Sequence, residues 1–181
     1  MAVRYNHVLS LISTAYLLIY PILTFTILFN PTVIFSGSAS GYVSFYTYQI
    51  RVIGFEVHSE LYDALPIYST PILLSAVISI LTFILHIKRY RLESPKINVI
   101  LSITILNIVV LGYEYGLINL IYKEAGLLSF PRINTSSAGK IIYQPINVIY
   151  PPYIQLSLNL IIILTAIAVF SMIVHHCQRI K

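Results

Sequence analysis

The chain has no tryptophan, one cysteine and only six acidic residues among its 181. A lone Cys177 excludes an intramolecular disulfide, a paired-cysteine metal knuckle and a two-cysteine redox centre. Charged residues make up 9% of the chain, against about 25% in soluble domains, while 57% is hydrophobic and the mean hydropathy is +0.84. Water is therefore a poor solvent for most of this surface. The phosphate-binding pattern GxxxxGK[ST], the dinucleotide pattern GxGxxG, the zinc pattern HExxH and the nucleophile pattern GxSxG are all missing. The net charge of +5 is not arranged as a basic stripe with stacking aromatics, so nucleic acid is not among the expected partners. No internal repeat and no low-complexity segment interrupts the chain.

What is present in quantity is apolar sequence. Crossing ~30 Å of hydrocarbon takes about 20 residues of helix, and four segments qualify: 8–29, 71–87, 97–122 and 153–174. None contains Lys, Arg or Asp, and Glu114 is their only acid. Their apolar residues run all round rather than in one stripe, as in helices that face lipid. Ser69-Thr70-Pro71 reads as a hydroxyl cap with proline in the first turn, and Pro151-Pro152 launches the fourth span. Pro21 is expected to kink the first span or be absorbed locally. That span follows Arg4 like a signal sequence, but its apolar run is longer than a cleaved h-region, so it reads as a retained signal anchor. The expected fold is an all-α membrane protein: a four-transmembrane-helix bundle with a small, β-rich extracytoplasmic loop domain.

Orientation follows the basic residues beside the spans. Arg4, Lys88, Arg89, Arg91, Lys96, Arg179 and Lys181 fall on one side with only Glu93 against them. Arg51, Lys123, Arg132 and Lys140 fall on the other, balanced by Glu56, Glu60, Asp63 and Glu124. The first side is expected to be cytosolic, giving a multi-pass protein of the cell membrane with both termini inside. The sequon at Asn134 then lies outside, where a glycan would be accessible.

The outer loops, 30–70 and 123–152, lack a disordered composition. Gly41–Val57 is dense in β-branched and aromatic residues, with Gly54 placed to break it into paired strands or mark a bulge. Ile141–Tyr143 and Asn147–Tyr150 are shorter strand candidates. Tyr42, Ser44, Tyr46 and Tyr48 alternate, so these tyrosines would line one strand face as a contact surface for a protein or glycan, or pack on the helix tops. Tyr20, Tyr68, Tyr122, Tyr150 and Tyr153 lie near span ends, where amphipathic rings favour the membrane interface.

Three clusters carry chemistry. Glu114 is an acid within a spanning helix, which by default marks a functional position, with Asn107 seven residues earlier on the same face. Gly112 and Gly116 are a small-xxx-small pair suited to close helix contact on the other face. The structural alternative for Glu114 is a hydrogen bond to the outer loops or to a tyrosine. His7, His86, His175 and His176, with Cys177, gather at the inner boundary and would serve a transition metal or haem, although no HxxxH, HxH or CxxCH spacing occurs. Glu56, His58, Glu60 and Asp63 form an outer polar group, most simply a solvated turn.

Four spans, a long first outer loop rich in strand formers and a strand candidate before the last helix resemble the tetraspan arrangement of claudin-type proteins. The resemblance is topological: their Gly-Leu-Trp and paired cysteines have no counterpart, and no functional residue carries over. The leading expectation is a non-enzymatic accessory or interaction subunit, held by lipid, associating with other membrane subunits or with itself, and using its outer loops for contact. The alternative is a proton- or ion-coupled transport or energy-coupling protein using Glu114. A third reading is a haem or metal redox subunit, although no cofactor is required by the leading one.

Overall fold

The computed structural model describes residues 2–90, 97–128, 135–137, 140–142 and 146–179, with side chains described for 11–87 except 13, for 99–128 and for 146–174. Four long helices dominate: α1 (Ala2–Phe29), α3 (Thr70–Tyr90), α4 (Ile97–Leu128) and α5 (Pro152–Arg179). They alternate in direction and pack in a ring, α1 against α3 and α5, and α4 against α3 and α5. α1 and α4 therefore lie across the diagonal.

Three stretches are long and apolar enough to cross a membrane: Glu60–Ile87, Val99–Leu128 and Pro152–Val174. In α1 the side-chain-described apolar part, Thr14–Phe29, is shorter. Pro21 lies inside α1. The second span begins earlier than expected, because a short helix α2 (Glu60–Tyr68) precedes α3 with only Ser69 between them. Ser69 and Thr70 do not cap α3 as expected. Both hydroxyls donate backward to the Pro66 carbonyl (3.0 and 3.2 Å). Pro71 has no N–H to give the Ile67 carbonyl, while the Ser69 amide keeps the ordinary helical bond to the Leu65 carbonyl (2.8 Å). The Tyr113 hydroxyl of α4 donates to the Tyr68 carbonyl at 2.9 Å, tying α4 to this break. α4 itself runs on through Lys123 to Leu128, six residues into what composition assigned to a loop.

The strand formers of the first loop build an antiparallel sheet at one end of the bundle, in the order β4-β3-β2-β1-β7. Its strands are β1 (Val33–Gly37), β2 (Ala39–Val43), β3 (Tyr48–Val52), β4 (Phe55–Glu56) and β7 (Ile146–Ile149). A separate two-stranded pair joins β5 (Thr135–Ser137) to β6 (Lys140–Ile142). The alternation from Tyr42 to Tyr48 is broken by a turn, closed where the Ser44 amide donates to the Thr47 carbonyl (2.8 Å) and Ser44 Oγ accepts from the Thr47 amide (3.1 Å). The turn inserts Phe45 into the core and stacks Tyr46 on Phe29 of α1, with ring centroids 5.3 Å apart. It seats the sheet on the helices.

The opposite end of the sheet points away from the bundle. There Ile53 and Gly54 join β3 to β4 with both φ angles positive, at 50° and 83°, the pattern of a two-residue type I′ turn that favours Asn-Gly. A β-branched residue in this left-handed region costs about 1–2 kcal/mol. Ile53→Asn is accordingly expected to raise stability by about 1 kcal/mol, read as a higher denaturation midpoint in detergent.

Candidate functional site

Buried polar side chains gather inside the helix ring. Asn107 of α4 donates through Nδ2 to Tyr16 Oη of α1 (3.2 Å) and to Ser79 Oγ of α3 (3.0 Å). Thr165 Oγ1 of α5 lies 3.4 Å from the same Tyr16 oxygen. One residue from each long helix thus meets in a single layer, and all four are nearly inaccessible. Such contacts contribute ~0.6 kcal/mol each on average inside membrane bundles. Their larger effect is to fix the rotation of each helix about its axis, which an all-round apolar surface leaves open.

One turn nearer the sheet, Tyr20 Oη of α1 lies 2.9 Å from Ser75 Oγ of α3. Ser75 gives its own proton to the Ile72 carbonyl (2.8 Å), so Tyr20 is the donor. Tyr20, expected at the membrane boundary, is instead fully buried in the bundle, its ring tilted against that of Tyr16 with centroids 5.8 Å apart.

Glu114 stands about 10 Å along α4 from Asn107 towards the sheet, by helix rise. It is 0% exposed, and neither carboxylate oxygen has a hydrogen-bond partner among the described residues. The only Lys or Arg side chains among those described are Arg51 and Lys123, both exposed. Among the described residues Glu114 has no bond to a loop or a tyrosine; the side chains of 129–145 in the second outer loop lie outside them. Asn107 and Glu114 both face the interior. Gly112 and Gly116 face outward, and an added Cβ at either meets nothing within 4 Å among the described residues.

Of the inner histidines, His86 is buried on α3. The side chains of His7, His175, His176 and Cys177 lie outside the described residues, as does Asn134. Among the described residues no group of three or more His, Cys, Asp or Glu stands close enough to hold a metal.

In the outer polar group, Glu56 is on β4 and pairs with Arg51 at 3.1 Å, an exposed contact, whereas Glu60 and Asp63 occupy the first turn of α2. They do not share one extended face. Tyr48 donates to Asp63 (2.7 Å) and lies 3.5 Å from His58 Nδ1, beside a cleft of about 270 Å³. Burial, and then the bond to Asp63, hold the Tyr48 hydroxyl above its usual pKa. Tyr46 and Tyr48 pack on Phe29 and Tyr62, and Tyr42 is half-buried on β2. The most exposed apolar group of the sheet is Phe55 at 78%, next to Ile53 at 42% in the distal turn, with Ile149 of β7 exposed at the other end.

Sequence reasoning singled out Asn107 and Glu114 but missed Tyr16, Tyr20, Ser75, Ser79 and Thr165. Their signal was present: Tyr16 and Tyr20, and Ser75 and Ser79, are each four apart, on one face of their helices. No protein-family model matches the chain and no curated protein matches it, so the functional reading rests on this geometry.

Proposed function

We propose that this chain is a non-enzymatic, four-span membrane protein of the transport or energy-coupling kind, in which Glu114 takes up and releases a proton or a cation inside the bundle. One observation carries the reading: a carboxyl group in the middle of a membrane-length helix, fully buried, with neither a hydrogen bond nor a countercharge among the described residues. A carboxylate costs several kcal/mol to hold in such a medium, and loading with a positive species removes that cost. The test is loss of flux in Glu114→Gln, developed below.

The fourth crossing is α1, whose 28 residues extend about 42 Å at helix rise. Both termini and the 88–96 connection lie in the cytosol, with the sheet outside. A cysteine at Ser137 is expected to react with an impermeant thiol reagent on intact cells, and one at Ser94 only after permeabilisation. The reverse pattern would invert the topology.

A second reading, the accessory subunit that binds through its outer domain, is favoured by the exposed Phe55 and the strained Ile53 at the distal turn. Left-handed, apolar and solvent-facing, this turn has no evident folding purpose. Phe55→Ser is expected to leave the melting temperature within a degree or two and to remove any chain that co-purifies in mild detergent. Co-purification unchanged by the substitution would count against this surface.

A further inference from the structure

We infer that Glu114 is loaded from the end of the bundle opposite the sheet, through the Tyr16–Asn107–Ser79–Thr165 layer, and that its sheet side is sealed. The inference rests on the reading of Glu114 as a proton site and adds a direction to it.

The two sides of Glu114 differ in chemistry. Towards the sheet, Ile118 and Ile121 of α4, Ile27 and Leu28 of α1 and Ile154 of α5 are all at most 2% exposed, and Phe45 of the β2–β3 turn closes the top. Thr24, Ser157, Ser69, Thr32 and Ser44 are the buried polar side chains on this side. Ser69 and Ser44 donate locally to the Pro66 and Thr47 carbonyls, and the Thr24 and Thr32 hydroxyls have no hydrogen-bond partner among the described residues, so no hydrogen-bonded relay is laid through this plug.

Away from the sheet the interior is polar at successive levels. Tyr20 and Ser75 form the nearest level (2.9 Å), and the layer around Asn107 forms the next. Thr104 follows about one turn further on the same helix, buried and bonded to the Ile100 carbonyl. His86, seven residues beyond Ser79 on the same face of α3, is buried at ~10 Å from it along the axis. The distances within the layer, 3.0–3.4 Å, are those of a relay that re-forms by rotating hydroxyls.

The titratable groups facing this interior are Tyr16 and Tyr20 of α1, His86 of α3 and Glu114 itself. The one described titratable side chain of α5 is Tyr153, at its sheet end. Among the described side chains a pH response of the site therefore has Glu114 and His86 as its groups of acidic or near-neutral range.

The test uses the full-length protein, reconstituted with uniform orientation in sealed vesicles, and a lipid-soluble carbodiimide. A protonated carboxyl adds across one C=N bond of this reagent, its proton passing to nitrogen, whereas a carboxylate does not. Mass spectrometry of Glu114 then reports its protonation. Raising the pH only in the bath at the far end is expected to lower labelling by up to about tenfold per pH unit above the titration midpoint. Raising it only at the sheet end is expected to change nothing. Asn107→Leu, and Tyr16→Phe as the milder change, should each slow the response to the far bath by tenfold or more. Labelling that follows the sheet-end bath would overturn the direction while leaving Glu114 a proton site. Labelling that follows neither bath would remove both claims. Response times unaltered in both variants would exclude the layer as the route.

Discussion

Glu114→Gln is expected to reduce proton or cation flux in reconstituted vesicles to the level of protein-free vesicles while leaving the melting temperature almost unchanged. Glutamine keeps the size of the side chain and removes only its capacity to bind and release a positive species. Stability should barely respond, because the carboxyl oxygens make no hydrogen bond that glutamine would lose. Glu114→Leu supplies the sharper thermodynamic contrast. A carboxyl that anchored a partner would leave that partner orphaned, and leucine would cost about 1–3 kcal/mol. A carboxyl with no partner is itself the unsatisfied group, and replacing it with leucine should stabilise the bundle by a similar amount. Increased stability with abolished flux is the expected pair of results. Reduced stability in Glu114→Leu, with normal flux in Glu114→Gln, would return Glu114 to a structural role and leave the accessory-subunit reading in its place.

The largest effect on folding is expected at Gly41, in the middle of β2. Its φ is +134°, and a Cβ built there would stand 1.8 Å from the Gln49 carbonyl oxygen and 3.1 Å from the Ile50 Cα. These are backbone atoms of the paired strand, where Gly41 is opposite Ile50, so no rotamer relieves the overlap. Gly41→Ala therefore combines backbone strain of about 1–3 kcal/mol with separation of the central ladder, for a loss of about 4 kcal/mol or more. Amide exchange should rise throughout β1, β2 and β3 while the helices keep their circular dichroism. Protected sheet amides in the variant would show that the strand shifts to admit the methyl group.

The membrane-length helices and the sheet were legible because each depends on composition over many residues. Runs free of Lys, Arg and Asp marked the helices, and the density of Val, Ile, Tyr and Phe marked the strands. What composition does not reveal is where such a run bends. Gly54 was legible as a break, but the turn at Ser44–Thr47 was hidden because it contains Phe45 and Tyr46, residues that read as strand. α2 was hidden by Pro66, and the extension of α4 by Lys123 and Glu124, which read as the end of a span although they continue the helix above it. The interior layer was half legible. Asn107 and Glu114 are conspicuous in apolar sequence, whereas tyrosine, serine and threonine are tolerated at lipid interfaces and on any helix face. Four-residue spacing puts Tyr16 with Tyr20 and Ser75 with Ser79 on one face each, but with apolar residues all round each helix it does not say that this face looks inward. The outward Gly112 and Gly116 show the same ambiguity in reverse.

The pairing of β1 with β7, from Ile34 opposite Ile149 to Gly37 opposite Ile146, also imposes an order on biosynthesis. β1 and β2 leave the ribosome early, but the strand that covers the other edge of β1 follows about a hundred residues later, after two further membrane-length helices. At 5–20 residues per second the interval is roughly 5–20 s. Throughout it β1 offers an unpaired edge, the kind of surface that recruits stray strands. α1 meanwhile has α3 beside it but still waits for α5, its other neighbour. The same late segment supplies both missing partners, since β7 leads through Pro151 directly into α5. Completion of the sheet and closure of the helix ring are therefore one event, and a nascent chain arrested before Ile146 would carry both defects at once.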